Sequence, residues 1–344
     1  FDDLEKYSRN IAIVTKSSKK ISYKVLLDAA DSIGKHIKNR CLVFLVNKNN
    51  FESVAGYLGF MRAKAVLVLI NDTIDNILFS NLLDKYKPEY IFLPSKKSQS
   101  NFNFTAVYSY NNYALLKTNY DIDYTLHDDL ALLLTTSGST GSPKFVRQSY
   151  KNIYSNTESI TQYLGITSAD RPITTMPMSY SYGLSIINSH LFKGASIILT
   201  DTTLTERSFW EVVSNNNATT FGGVPYIYEM LKKLRIERMN LASLKYITQA
   251  GGKLGVELSA LFAEICVNKG IEFYVMYGQA EATSRMSYLP WKNALTKVGS
   301  VGIAIPGGKF WLEDEKKNEI KESNSIGELV YQGENVTMGY AESC

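Results

Sequence analysis

The residues best suited to chemistry fall in one stretch. The apolar run Leu132, Leu133 and Leu134 passes directly into Thr135, Thr136, Ser137, Gly138, Ser139, Thr140, Gly141, Ser142, Pro143 and Lys144. Glycines let successive backbone N–H groups turn toward one anion, hydroxyls add donors, and a lysine supplies a positive point charge. Such a loop would hold phosphates. It is not a Walker A loop, which needs GxxxxGK[ST], nor a dinucleotide fingerprint, which needs GxGxxG. A nucleophile elbow fails as well, because position 137 is serine and the sequence has no histidine close by. Taken alone, the stretch is also compatible with an exposed Ser/Gly linker.

Other short segments follow it in an order that adds weight. Ile21-Ser22-Tyr23-Lys24-Val25-Leu26 and the run 59–70 precede the loop. Pro177-Met178-Ser179-Tyr180-Ser181-Tyr182-Gly183, Gly223-Val224-Pro225, Gln249-Ala250-Gly251-Gly252-Lys253-Leu254 and Tyr277-Gly278-Gln279-Ala280-Glu281 come after it. Gly299-Ser300-Val301-Gly302, Pro306-Gly307, Gly327-Glu328-Leu329, Gly333 and Gly339-Tyr340 complete the series. Together these segments resemble the adenylate-forming enzymes, which comprise acyl-CoA synthetases, peptide-synthetase adenylation domains and beetle luciferases. The likeness extends over essentially the whole chain, and 136–144 matches the family's phosphate loop throughout.

The resemblance implies ATP-dependent activation of a carboxylic acid as an acyl-adenylate with release of pyrophosphate, followed by transfer to a thiol. ATP and Mg²⁺ are the expected cofactors, with CoA or a carrier phosphopantetheine as co-substrate. Thr136, Ser137, Gly138, Ser139, Thr140, Gly141 and Lys144 would orient the phosphates. Tyr277 would stack on adenine, with Gly251, Gly252, Gly278, Gln279 and Ala280 around the nucleotide. By residue type alone, Tyr277 is equally a core-packing tyrosine. A carboxylate beside phosphates needs a hard cation between them, and Mg²⁺ takes oxygen ligands of that kind, so Glu281 is assigned to the metal. Its plainer role is a carboxylate at a helix N-terminus. Lys144 and Glu281 are thus the expected catalytic pair. A general base is unnecessary, because a carboxylic acid is already ionised at neutral pH.

The acyl pocket is expected among Tyr180, Gly183, Leu184, Ile187, Gly222, Gly223, Val224 and Ala250, with Arg285 at its rim. Amino-acid-activating relatives place an aspartate after the Pro177 segment, and 179–187 contains none. That favours an acyl or aryl acid without a free α-amine. Two departures stand out: Ala280 replaces a threonine, and Tyr180 stands where acyl-CoA synthetases often carry histidine. The ribose-binding aspartate, the hinge and the mobile C-terminal cap with its lysine would follow Tyr340, and the sequence ends at Cys344. The expectation is therefore the large N-terminal part of an acid–thiol ligase with the cap absent. An amino-acid adenylation domain and a catalytically inactive nucleotide-binding module are the alternatives.

These residues need rigid elements to hold them. Apolar, β-branched runs at 41–46, 65–70, 90–93, 130–136, 196–199, 218–221, 244–248 and 271–276 read as strands. Amphipathic stretches at 52–62, 150–164, 206–214, 226–234 and 256–269 read as helices. The alternation predicts an α/β protein of two stacked βαβ-type subdomains with mostly parallel sheets, over 1–165 and 166–289. The polar stretch 95–103 reads as an exposed loop. From 290 to 344, short strands at 309–312 and 327–331 punctuated by glycine predict a small distorted barrel-like or meander subdomain.

Composition closes off other classes. The chain has 344 residues, with 45% hydrophobic and 20% charged residues, which excludes disorder and a small disulfide scaffold. A net charge of +4 with no basic run argues against nucleic acid. No apolar run reaches the length of a membrane span. The cysteines Cys41, Cys266 and Cys344 and the histidines His36, His127 and His190 lack zinc-site spacing. A sparse, odd cysteine set suits the cytoplasm. Phe1 opens the sequence without a leader-like segment, which suggests a trimmed start. The expected partners are a small carboxylic acid and either CoA or an acyl or peptidyl carrier protein.

Overall fold

A computed structural model describes residues 3–98, 104–135 and 144–342. Its centre is an eight-stranded sheet in the order Tyr340–Ala341, Phe145–Ser149, Leu130–Thr135, Val66–Asn71, Leu42–Asn47, Tyr90–Pro94, Tyr113–Lys117, Thr105–Tyr110. The central strands pair parallel, because helical crossovers join them. The flanking pairs are antiparallel, among them the hairpin closed at Asn111, whose φ is +50°. The sheets are thus mixed, with parallel centres and antiparallel edges, within the expected α/β class.

Leu42–Asn47 is buried along its whole length. Helices Tyr23–Gly34 and Phe51–Arg62 cover one face of the sheet through Leu26, Ile33, Val54 and Leu58, and helix Asn76–Tyr86 covers the other through Phe79, Leu82 and Leu83. Local chemistry starts two of the expected helices, Phe51–Arg62 and Tyr150–Tyr163, within a residue of their expected bounds, whereas Tyr23–Gly34 and Asn76–Tyr86 are not among the expected helices. Asn50 Oδ1 accepts from Ser53 N at 3.0 Å, and Ser149 and Asn152 form a reciprocal capping box at Tyr150–Tyr163.

The second sheet runs Thr220–Gly223, Tyr246–Gln249, Glu272–Tyr277, Ser287–Leu289, Ile303–Ala304, with its first strands parallel. Ile11–Thr15 pairs parallel with Ile197–Leu199, which ties the start of the chain to the segment leading into that sheet. Toward the C-terminus, Glu319–Ile320, Lys309–Glu313 and Glu328–Gln332 form an open three-stranded antiparallel sheet. The last of these strands pairs with Lys309–Glu313 and not with its neighbour in sequence, so the sheet is not the expected meander, and no barrel closes among the described residues. The stretch 95–103 begins as a single helical turn, Ser95–Ser98, and 99–103 lie outside the described residues.

His190, on the buried helix Ser181–Phe192, supplies a test of this core. Its Nδ1 lies 2.8 Å from the Ile186 carbonyl, so Nδ1 carries the proton and Nε2 accepts from Tyr246 Oη at 3.1 Å. Burial pushes this imidazole down to about 4. Between that value and the ordinary 6.5 the unfolded chain binds the proton and the folded chain does not, so stability falls as pH drops through this window. The loss reaches about 3 kcal/mol near pH 4. The stabilities of wild type and His190→Gln, from urea melts between pH 7 and 4, should diverge by about 3 kcal/mol over that range; parallel curves of stability against pH would contradict it.

Candidate active site

Three parallel strands, Thr220–Gly223, Tyr246–Gln249 and Glu272–Tyr277, end on the same side, and a cavity of about 740 Å³ opens beyond their carboxyl ends. This is where open α/β sheets place ligands. Tyr180, Ala250, Gly251, Gly252, Tyr277, Gly278, Gln279, Ala280 and Glu281 all line it. Thr135, the last described residue before the phosphate loop, also reaches the cavity. Thr136, Ser137, Gly138, Ser139, Thr140 and Gly141 lie outside the described residues.

The walls are backbone-rich where a flat ligand would enter. Gly251 has φ +77°, and a Cβ there would overlap Tyr180 Oη. Gly278 is packed so closely that a Cβ would overlap the Ser284 carbonyl oxygen and lie 2.8 Å from Arg285 Cα. Tyr277 remains 37% exposed at its strand end, so one side of the ring is available for stacking. Gln249 Nε2 donates to the Gly252 carbonyl at 2.9 Å and steadies the glycine pair. Burial raises the Tyr180 phenol above its ordinary range, so the cavity presents it as a neutral hydroxyl.

The two charged candidates flank the short strand Tyr340–Ala341. Lys144 Nζ forms an exposed ion pair with Glu342 Oε1 at 2.5 Å, and the lysine holds that carboxyl below its usual range. An exposed pair of this kind is weak and exchangeable, so a phosphate could take the place of Glu342. Tyr340 Oη donates to Glu281 Oε1 at 2.7 Å. Among the described residues no group of three or more His, Cys, Asp or Glu could hold a metal by itself. Glu281 would therefore supply one oxygen, with phosphate oxygens completing the set.

The other expected acyl-pocket residues do not reach the cavity. Leu184 and Ile187 point into the hydrophobic core, and Gly183 faces the backbone of Pro177. Gly222 backs onto Tyr182 and Ile186, Gly223 onto Ile227 and Tyr228, while Val224 packs behind Gly251. Arg285 is not at the rim: it is 1% exposed and lies beneath the wall. The turn before it explains this. Thr283 and Ser284 have φ of +54° and +105°, and they reverse the chain so that the Arg285 side chain points inward.

Several residues that position this turn carry no local signal. Asn335 Nδ2 donates to the carbonyls of Ala282 at 2.7 Å and Arg285 at 3.0 Å, and Asn156 Nδ2 donates to Arg285 O at 2.9 Å. Asn152 holds the backbone on both sides of Asn335, donating to Glu334 O and Val336 O at 2.7 and 2.8 Å. Gly299, Ser300 and Val301 also line the cavity, although as a sequence motif they carry no assigned role.

A family model for the AMP-binding enzyme matches residues 1–341. The chain belongs to the AMP-binding enzyme family. One relative, the 2-succinylbenzoate–CoA ligase of Enterococcus faecalis, is 30% identical over 213 residues, which cover 62% of this chain and 43% of that protein. The chain thus matches less than half the length of that relative. Two solved structures of O-succinylbenzoate coenzyme A synthetase from Bacillus subtilis share the fold at 20% identity. The AMP complex superposes with a TM-score of 0.80, covering 98% of this chain and 70% of the other. The complex with ATP and magnesium ion gives 0.74, covering 98% and 71%. Among the described residues, no helix is long and apolar enough to cross a membrane.

Proposed function

We propose that this AMP-binding protein carries the acid- and nucleotide-binding part of an AMP-forming acid–CoA ligase. A carboxylate oxygen of the acid attacks the α-phosphorus of ATP, the bond to the bridging oxygen breaks, and pyrophosphate leaves. The thiol sulfur of CoA then attacks the acyl carbon and AMP leaves. The observation that carries the reading is the single cavity joining Thr135, at the head of the phosphate loop, to Tyr277, the glycines and Glu281.

Tyr277 and the glycines fit a flat base, because only missing side chains let backbone approach its edge. Lys144 and the loop hydroxyls orient the phosphates in line with the leaving pyrophosphate, so catalysis here is positioning plus charge stabilisation. Magnesium would neutralise phosphate charge, and Glu281 is the residue that would hold it. The acid lies between Tyr180, Tyr182 and Met276, all of which line the same cavity.

The full-length protein, given ATP, Mg²⁺, CoA and a panel of acyl and aryl acids, should form AMP and an acyl-CoA detectable by mass spectrometry. ADP formation, or AMP formation without any acid, would contradict the proposal. Ala280 has an assigned consequence too. Restoring the hydroxyl with Ala280→Thr should raise the adenylation rate roughly 10-fold, and an unchanged rate would mean that another donor already serves the α-phosphate.

A further inference from the structure

One buried charge beside the cavity has no carboxylate partner among the described residues. Arg285 is 1% exposed. Its Nη1 donates to Tyr163 Oη at 3.0 Å and lies 3.2 Å from Met276 Sδ, and its guanidinium carbon stands 5.0 Å from the centre of the Tyr182 ring. Nε has no hydrogen-bond partner, and no carboxylate pairs with the group among the described residues. Asp170 is already paired with Lys245 at 3.0 Å, and Glu272 accepts from Tyr274 at 2.8 Å.

A guanidinium stays charged at physiological pH, and burying it without an anion is costly. Tyrosine faces, the Tyr163 hydroxyl and a thioether offset part of that cost but leave Nε–H free. The location gives the free Nε–H a use. Tyr182 and Met276, which hold the guanidinium, both line the cavity, as does its neighbour Ser284. Arg285 therefore lies one side-chain layer beneath the surface that the acid must touch. Methionine is unbranched and adaptable, so Met276 can yield to a group reaching the guanidinium.

Resting on the adenylate-forming reading, we propose that Arg285 determines specificity by pairing with a second carboxylate of the substrate, which makes that substrate a dicarboxylic acid. One carboxylate is activated; the other meets the guanidinium on its Nε–H side, in a charge-assisted hydrogen bond. A plain fatty acid would instead leave that charge and its Nε–H buried and unpaired, the situation against which sites discriminate most strongly.

The test uses the full-length protein and matched ligand pairs: glutarate, adipate and phthalate against their half-amides. Wild type should activate a diacid roughly 100-fold more efficiently than its half-amide in acid-dependent pyrophosphate exchange. Arg285→Met should bring that ratio to within about tenfold of one, mainly through KM, and Arg285→Lys should restore part of it. AMP binding by calorimetry should be unchanged in both variants, which reports that they fold. Equal activation of half-amides and diacids by wild type, or a ratio unaffected by either substitution, would overturn the role of Arg285 while leaving adenylation standing. Calorimetry of the diacids without ATP separates the two ideas. Binding to wild type but not to Arg285→Met, with no exchange from any acid, would keep the anion site and sink adenylation.

Discussion

Replacing Glu281 by glutamine in the full-length protein should lower acid-dependent pyrophosphate exchange by roughly 100-fold or more while leaving the melting temperature nearly unchanged. The reasoning is electrostatic. Glutamine keeps the shape and still accepts from Tyr340 Oη, now 2.7 Å from Glu281 Oε1, but it loses the charge that a hard cation requires. The deficit should shrink as Mg²⁺ is raised if the carboxylate acts through the metal. A variant with wild-type exchange and wild-type Mg²⁺ dependence would remove Glu281 from the metal role.

Gly278→Ala should be the most damaging single methyl group in the site. The added Cβ would overlap the Ser284 carbonyl oxygen and crowd Arg285 Cα, both of them backbone atoms. Neither can swing aside as a side-chain end could. The turn is also pinned by Asn335 and Asn156, so the strain cannot spread cheaply. Overpacking of this kind costs about 3 kcal/mol, and the displaced turn carries Ala280 and Glu281 with it. Calorimetry should show AMP affinity reduced at least roughly tenfold together with a lowered melting temperature. Unchanged affinity and stability would mean that the backbone contact is looser than described.

The sequence was most legible where the chemistry is local. The helix Val256–Lys269 falls on its expected bounds, because an apolar stripe and a following glycine mark it without help from the rest of the chain. The strand bounds shift by a residue or two, as at Leu42–Asn47 and Thr220–Gly223, since a buried run gives no periodic signal at its ends. Glycines, Tyr277 and Glu281 converge on one cavity because they sit just beyond parallel strands, a relation that order along the chain already implies.

What escaped is tertiary. Arg285 looks like a rim residue by type, and only the left-handed pair Thr283 and Ser284 turns it inward. Asn335 reaches the same turn from a distant segment, so nothing adjacent to it in sequence announces the contact. Leu184 and Ile187 lie on the helix Ser181–Phe192 and face the core, whereas Tyr180 is the N-cap, whose extended backbone takes it off the helical repeat and lets its side chain face the cavity. The far end of the chain forms an open three-stranded sheet with Lys309–Glu313 at its centre, neither a meander nor a barrel, since its edges are closed by no further described strand.

The most direct measurement of the central claim is ATP–pyrophosphate exchange by the full-length protein, with and without added carboxylic acid. Exchange that depends on both acid and Mg²⁺, and that is lost in Lys144→Ala, is the predicted result. A folded protein that binds AMP but exchanges pyrophosphate with no acid from the aliphatic, aryl or dicarboxylic pools would contradict it.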